Sequence, residues 1–148
     1  MDEVSIDIDA PPERAYALVS DVTNMGRLSP ECHRCEWLDG ASGPTVGARF
    51  KGWNKRGLMR WATVSTVVAA DAPREFAWEV TQSRMRWGYR FEPAEKGTKV
   101  TEYRDELGIK PLHVRIAYKL RLLGKDPDEI VRAGMKETLN RLKVGAEN

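Results

Sequence analysis

Only two cysteines and two histidines occur in 148 residues, and each scarcity removes a class of protein. Two thiols cannot make a disulfide framework, and a zinc centre needs about four ligands from the same small pool. No run of about 18 apolar residues is present, so no segment reads as a membrane-spanning helix. The acidic start MDEVSIDIDA also lacks the basic-then-apolar order of an export signal. A cytoplasmic location is expected. Charge of one sign is missing too: Lys+Arg 24 against Asp+Glu 22 leaves +2, too little for the surface to neutralise phosphates. Nucleic-acid binding is therefore not expected. There is no G-x-S-x-G, no glycine-rich phosphate loop and no H-E-x-x-H, so serine-hydrolase, nucleotide-binding and zinc-protease chemistry lack their residues. Neither a cofactor nor a metal is expected. What is there is the composition of an ordinary globule, 41% hydrophobic and 31% charged, in a length that suits one domain, residues 1–148, with a proper core.

Val4, Ile6 and Ile8 alternate with Glu3, Ser5, Asp7 and Asp9, the period of a strand with one buried face. Pro11 and Pro12 stop that strand and suit the first turn of a short helix carrying Ala15, Tyr16, Ala17, Leu18 and Val19. A second short helical piece is expected over Asp21 to Arg27. From Cys32 to Leu107 the chain reads as strands divided by turn clusters at 40–47, 55–57, 71–73 and 95–97, hence an antiparallel meander. All five tryptophans and all three phenylalanines fall between residues 37 and 91. Phe76, Trp78 and Val80 share one face of their strand. Met85, Trp87, Tyr89 and Phe91 share one face of the next, opposite Arg84, Arg86 and Arg90.

Such a face needs a cover, and one is legible near the C-terminus. Asp126-Pro127-Asp128-Glu129 supplies an N-cap, a proline at the first helical position and a glutamate three residues after the cap. Ile130, Val131, Gly134, Met135, Thr138, Leu139 and Leu142 then fall within about half of the helix circumference. Residues 112–123 fit either period; helix is favoured, with Gly124 ending it.

The order of strand, two short helices, meander and long C-terminal helix is that of the helix-grip fold, and several strings strengthen the likeness. Ile8 to Tyr16 (IDAPPERAY), Ser20-Asp21-Val22, Ser29-Pro30-Glu31, Phe50 to Asn54 (FKGWN), Arg60-Trp61, Phe76 to Val80 (FAWEV), Gly97 to Glu102 (GTKVTE) and Gly134 to Lys143 (GMKETLNRLK) resemble the polyketide cyclase/dehydrase-type branch of the SRPBCC superfamily. This superfamily is also called START-like or birch-pollen-allergen-like. The resemblance implies an α+β helix-grip fold, a curved antiparallel sheet of about seven strands around the last helix. It also implies a deep apolar cavity between sheet and helix, used for lipids, sterols or polyketides. It does not imply one reaction, because a fold hosts many functions.

Candidate residues follow from the aromatic face and from the helix opposite it. Phe50, Trp61, Phe76, Trp78, Trp87, Tyr89 and Phe91 are the expected ligand-binding set on the sheet, and Gly134, Met135 and Thr138 on the helix. Glycine inside a helix costs about 1 kcal/mol relative to alanine, so Gly134 asks for a steric reason. Arg60, Tyr89 and Glu102 are candidate acid/base or anchoring groups, although strand parity also allows Arg60 on the outer face and Glu102 in an ion pair. Lys110, Arg115, Lys119, Arg121 and Lys125 form a basic run with no acid among them. Contact with anionic lipid at a cavity entrance is one reading, and the favoured one is a solvated helix face. Cys32-His33-Arg34-Cys35 is a C-x-x-C motif, but on a strand residues three apart point to opposite faces, so the thiols are expected to be incidental, neither bridged nor metal-bound. The function expected is binding of a small hydrophobic or aromatic molecule. The alternatives are a polyketide aromatase/cyclase or dehydratase, and lipid exchange at a membrane surface.

Overall fold

In the computed structural model the residues described are 2–108, 112–113, 116 and 127–148. The chain runs β1 (Asp2–Ile8), α1 (Pro12–Ser20), a 3-10 turn (Val22–Asn24), α2 (Met25–Leu28), β2 (Cys32–Trp37), β3 (Arg49–Arg56), β4 (Met59–Asp71), β5 (Glu75–Val80), β6 (Met85–Ala94), β7 (Gly97–Glu106) and α3 (Pro127–Glu147). The strands form one seven-stranded sheet in the order β1-β7-β6-β5-β4-β3-β2, and every neighbouring pair is antiparallel. This is the α+β helix-grip architecture: a meander from β2 to β7, the first strand returned beside the last, and α3 on the concave face.

Local chemistry sets the corners. Asp21 caps the turn after α1, its carboxylate accepting from the Thr23 amide at 3.1 Å, so the chain reverses there. Gly97 lies at φ +152°, and a Cβ at that point would stand 2.3 Å from the Ile8 carbonyl oxygen. Only glycine lets β7 begin that close to β1. Thr98 then donates to the Ala10 carbonyl at 2.7 Å, tying the entry of α1 to β7.

The two faces of the sheet differ as alternation dictates. On the convex face Arg86 pairs with Glu79 at 2.9 Å and Arg90 with Glu3 at 2.6 Å. Tyr103 lies across Gly88, where a Cβ would meet its ring at 2.2 Å, and donates its hydroxyl to Glu75 at 2.6 Å. Partly exposed pairs of this kind contribute only about 0–1 kcal/mol each. Stability therefore rests on the concave face. There Tyr16 of α1 stands edge-on to Phe91 and Phe76, with centroids 5.5 and 6.4 Å apart, and Leu139, Leu142 and Ala146 of α3 are buried in the same cluster.

Two expectations meet the structure differently here. The strand argument for the cysteines fails, because the β2–β3 register slips between Cys32 and Arg34. His33 is the extra residue of a β-bulge, so Cys32 and Cys35 share a face, their sulfurs 3.5 Å apart. Leu112, His113 and Ile116 are helical, in line with the favoured reading; the rest of the 109–126 stretch, including all five residues of the basic run and the Asp126 cap, lies outside the described residues. Among the described residues no helix is long and apolar enough to cross a membrane.

Candidate ligand cavity

Alternation along the central strands aims one set of side chains at α3 and leaves a cavity of about 240 Å³ between them. The wall takes Phe50, Gly52, Asn54 and Arg56 from β3, Trp61, Thr63 and Ser65 from β4, Trp78 and Val80 from β5, Met85, Trp87 and Tyr89 from β6, and Glu102 and Arg104 from β7. The period of two is unbroken in each of these strands. The aromatics are packed in sequence, Phe50 on Trp78 at 5.8 Å and Trp78 stacked on Tyr89 at 5.9 Å. The roof is the first half of α3, with Ile130, Val131, Gly134, Met135 and Thr138.

The roof is high because Gly134 has no side chain: a Cβ there would meet nothing nearer than Pro30 Cγ, at 3.8 Å. One turn on, the Thr138 hydroxyl donates back to the Gly134 carbonyl at 2.9 Å. Its proton is committed to the helix, so Thr138 offers a ligand a methyl group and an acceptor but no donor.

The polar focus lies across the sheet from that helix. Glu102 and Tyr89 are directly opposite one another in the β6–β7 register, and both are buried, at 4% and 2% exposure. Burial pushes the Glu102 carboxyl up to about 8, while hydrogen bonding from Tyr89 acts in the opposite direction. Burial and then the neighbouring Glu102 raise the Tyr89 phenol well above its ordinary value. At neutral pH Glu102 is thus mostly a protonated acid and Tyr89 an intact phenol. Among the described residues Glu102 Oε1 has no hydrogen-bond partner. A buried polar atom left unpaired costs about 1–3 kcal/mol, which a bound molecule with a complementary group would recover.

The two arginines of the wall are each held by carboxylates. Arg104 meets Asp2 at 2.6 Å and Asp128 at 3.4 Å, joining β7 to β1 and to the start of α3. Arg56 meets Glu31 at 2.5 Å. Both thus also tie the rim of the cavity together.

Of the sequence candidates, the cavity brings together Phe50, Trp61, Trp78, Trp87, Tyr89, Glu102, Gly134, Met135 and Thr138. Three lie elsewhere. Phe76 and Phe91 face the same way as their cavity neighbours but are covered by Tyr16, and belong to the packed core. Arg60 is exposed, paired with Lys55 near the β3–β4 turn; it is adjacent to inward Trp61, so parity turns it outward. Sequence reasoning passed over Asn54, Arg56, Thr63, Ser65 and Arg104. Counting in twos from Phe50, Trp61 and Glu102 finds them all. Cys32 and Cys35 also line the cavity, and no strand period would have shown it.

Residues 3–147 match the family described as polyketide cyclase / dehydrase and lipid transport, and the chain belongs to that family. The Polyketide_cyc-like protein Cgl2372 from Corynebacterium glutamicum is 36% identical, with 99% of this chain and 88% of that one covered and a TM-score of 0.56. Protein CV1439 from Chromobacterium violaceum has the same fold at 16% identity, covering 99% and 97% of the two chains with a TM-score of 0.73. The di-domain ARO/CYC protein StfQ of the steffimycin biosynthetic pathway also shares it, at 15% identity and a TM-score of 0.74, with 99% of this chain matching 50% of that one. No curated protein matches the sequence.

Proposed function

We propose that this protein binds a compact hydrophobic or aromatic molecule bearing one oxygen function, its ring against Trp61, Trp78 and Trp87 and its oxygen at the Glu102–Tyr89 pair. One observation carries the reading: an aromatic-walled cavity containing a buried carboxyl with an oxygen that has no partner among the described residues. An apolar cavity of about 150 Å³ holds benzene, so 240 Å³ suits one or two fused rings better than a long acyl chain or a full sterol. The lipid-exchange alternative drew on the basic run, all of which lies outside the described residues.

The same pair favours a second reading. A carboxylic acid poised near neutral pH can give its proton to a ketone oxygen or a departing hydroxyl and take it back, the acid/base step that a cyclase or dehydratase requires. The cyclase/dehydrase character of the family and the likeness to the ARO/CYC protein StfQ support it.

Titration of tryptophan emission with a panel of naphthols, naphthoquinones and short aryl ketones tests binding. Gly134→Leu, which fills the roof, is expected to weaken any hit at least tenfold; equal affinity in the variant would remove this cavity as the site. Glu102→Gln then separates the readings. A binder keeps its affinity to within a few-fold, whereas an enzyme keeps its affinity and loses turnover, followed by mass spectrometry of the mixture.

A further inference from the structure

The bulge at His33 brings two thiols together in the cavity wall, and nothing in the binding reading uses them. Cys32 and Cys35 have sulfurs 3.5 Å apart. Cys35 is buried, and Cys32 is partly exposed. Across the strand from Cys35 stands Gly52, and a Cβ there would lie 3.4 Å from the Cys35 sulfur and 3.6 Å from that of Cys32. The missing side chain leaves only the width of a methyl group beside both sulfurs, with Thr63 Oγ1 3.5 Å from the same point, and both cysteines line the cavity. We propose that Cys32 and Cys35 form a thiol–disulfide exchange site whose substrate is a low-molecular-weight disulfide reaching it through the cavity.

Roles follow from position. Cys32, the more exposed residue, attacks, and Cys35, the buried one, resolves. The electrostatics agree: hydrogen bonding from Cys35 holds the Cys32 thiol below its ordinary value, whereas the same bond and burial push Cys35 far up. The Cys32 thiol also donates to the Arg34 carbonyl at 3.3 Å. A lowered thiol in an accessible position is the reactive one of a pair.

In the first step the Cys32 proton passes to solvent and its sulfur attacks one sulfur of RSSR. A Cys32–SR bond forms, the RS–SR bond breaks, and RS⁻ leaves to take up a proton. In the second step Cys35 loses its proton and attacks the Cys32 sulfur; the Cys32–Cys35 bond forms, the bond to SR breaks, and a second RSH departs. Two protein thiols are oxidised by two electrons and one RSSR is reduced to two RSH. The sulfurs need to close by about 1.5 Å to reach bonding distance, within reach of side-chain rotation at a bulge. Among the described residues no group of three or more His, Cys, Asp or Glu stands together to hold a metal.

The test uses the full chain in buffers of 2-hydroxyethyl disulfide and 2-mercaptoethanol, a pair small enough for the cavity, at graded oxidised-to-reduced ratio, quenched with acid, alkylated and weighed intact. The expected product has lost two hydrogens and carries no mercaptoethanol, with residues 32 and 35 joined in the digest. Cys35→Ser, or Cys35→Ala if serine is poorly tolerated, should stop at one mercaptoethanol on Cys32. Urea-unfolded wild type is the reference for any two cysteines this close in sequence. The native pair should oxidise at a ratio about tenfold lower than that reference. Thiols that stay reduced while free dithiothreitol in the same buffer is oxidised, a lasting mixed disulfide on wild type, or a native midpoint no lower than the unfolded one would each overturn the proposal.

Discussion

The two ends of the concave face are built from the same strands and end up with opposite properties. At one end Phe76 and Phe91 meet Tyr16 of α1 and the apolar second half of α3, and they are 0% and 2% exposed. At the other end Trp61, Trp78 and Trp87 meet the first half of α3, where Gly134 leaves the space unfilled. β6 passes through both, with Phe91 in the packed end, Trp87 in the open end and Tyr89 at the boundary. Whether a large aromatic is core or pocket wall is thus decided by what stands opposite it, not by its own strand.

The largest expected effect breaks the packed end. Phe91→Ala should lower stability by about 3–5 kcal/mol in a urea titration, while affinity for a cavity ligand, measured on the folded fraction, changes little. A matching loss of affinity would mean that the two ends are one compartment.

Next comes the charge at the boundary. The folded Glu102 carboxyl titrates at about 8 against 4.5 for the ordinary group, so between those values the folded state holds a proton that the unfolded chain has released. The Glu102 contribution to stability should therefore be complete at and below pH 4.5 and decline as pH rises towards 8, with a linkage of the order of a few kcal/mol. Glu102→Gln abolishes this component, and the difference between the two proteins' stability–pH curves measures it; parallel curves would place the carboxyl in water.

Filling the open end is a milder perturbation of the fold. Gly134→Leu should raise helix propensity by up to about 1 kcal/mol and leave the urea midpoint equal or higher, even as it costs the ligand its space. A large fall in the midpoint would show that the end is packed after all. The smallest effect belongs to Arg60, which touches neither end: Arg60→Ala should change stability by no more than about 0.5 kcal/mol and leave cavity binding intact in the same emission titration.

Much of this arrangement follows from residues close together in sequence. The inward parity of Trp78, Trp87 and Tyr89, the stop at Pro11 and Pro12, and the turn at Asp21 are local properties of backbone geometry, and they are readable without a partner. The gathering of the aromatics on one sheet follows as well, since they all fall in strands of one meander. Three things only the tertiary structure decided. The cysteine pair depends on a register slip between β2 and β3, a property of two strands that neither carries alone. The division of the aromatics into core and wall depends on where α1 ends and on which half of α3 lies above. The protonated state of Glu102 depends on desolvation, which sums over every element around the carboxyl, and in sequence it is one more charged residue on a strand.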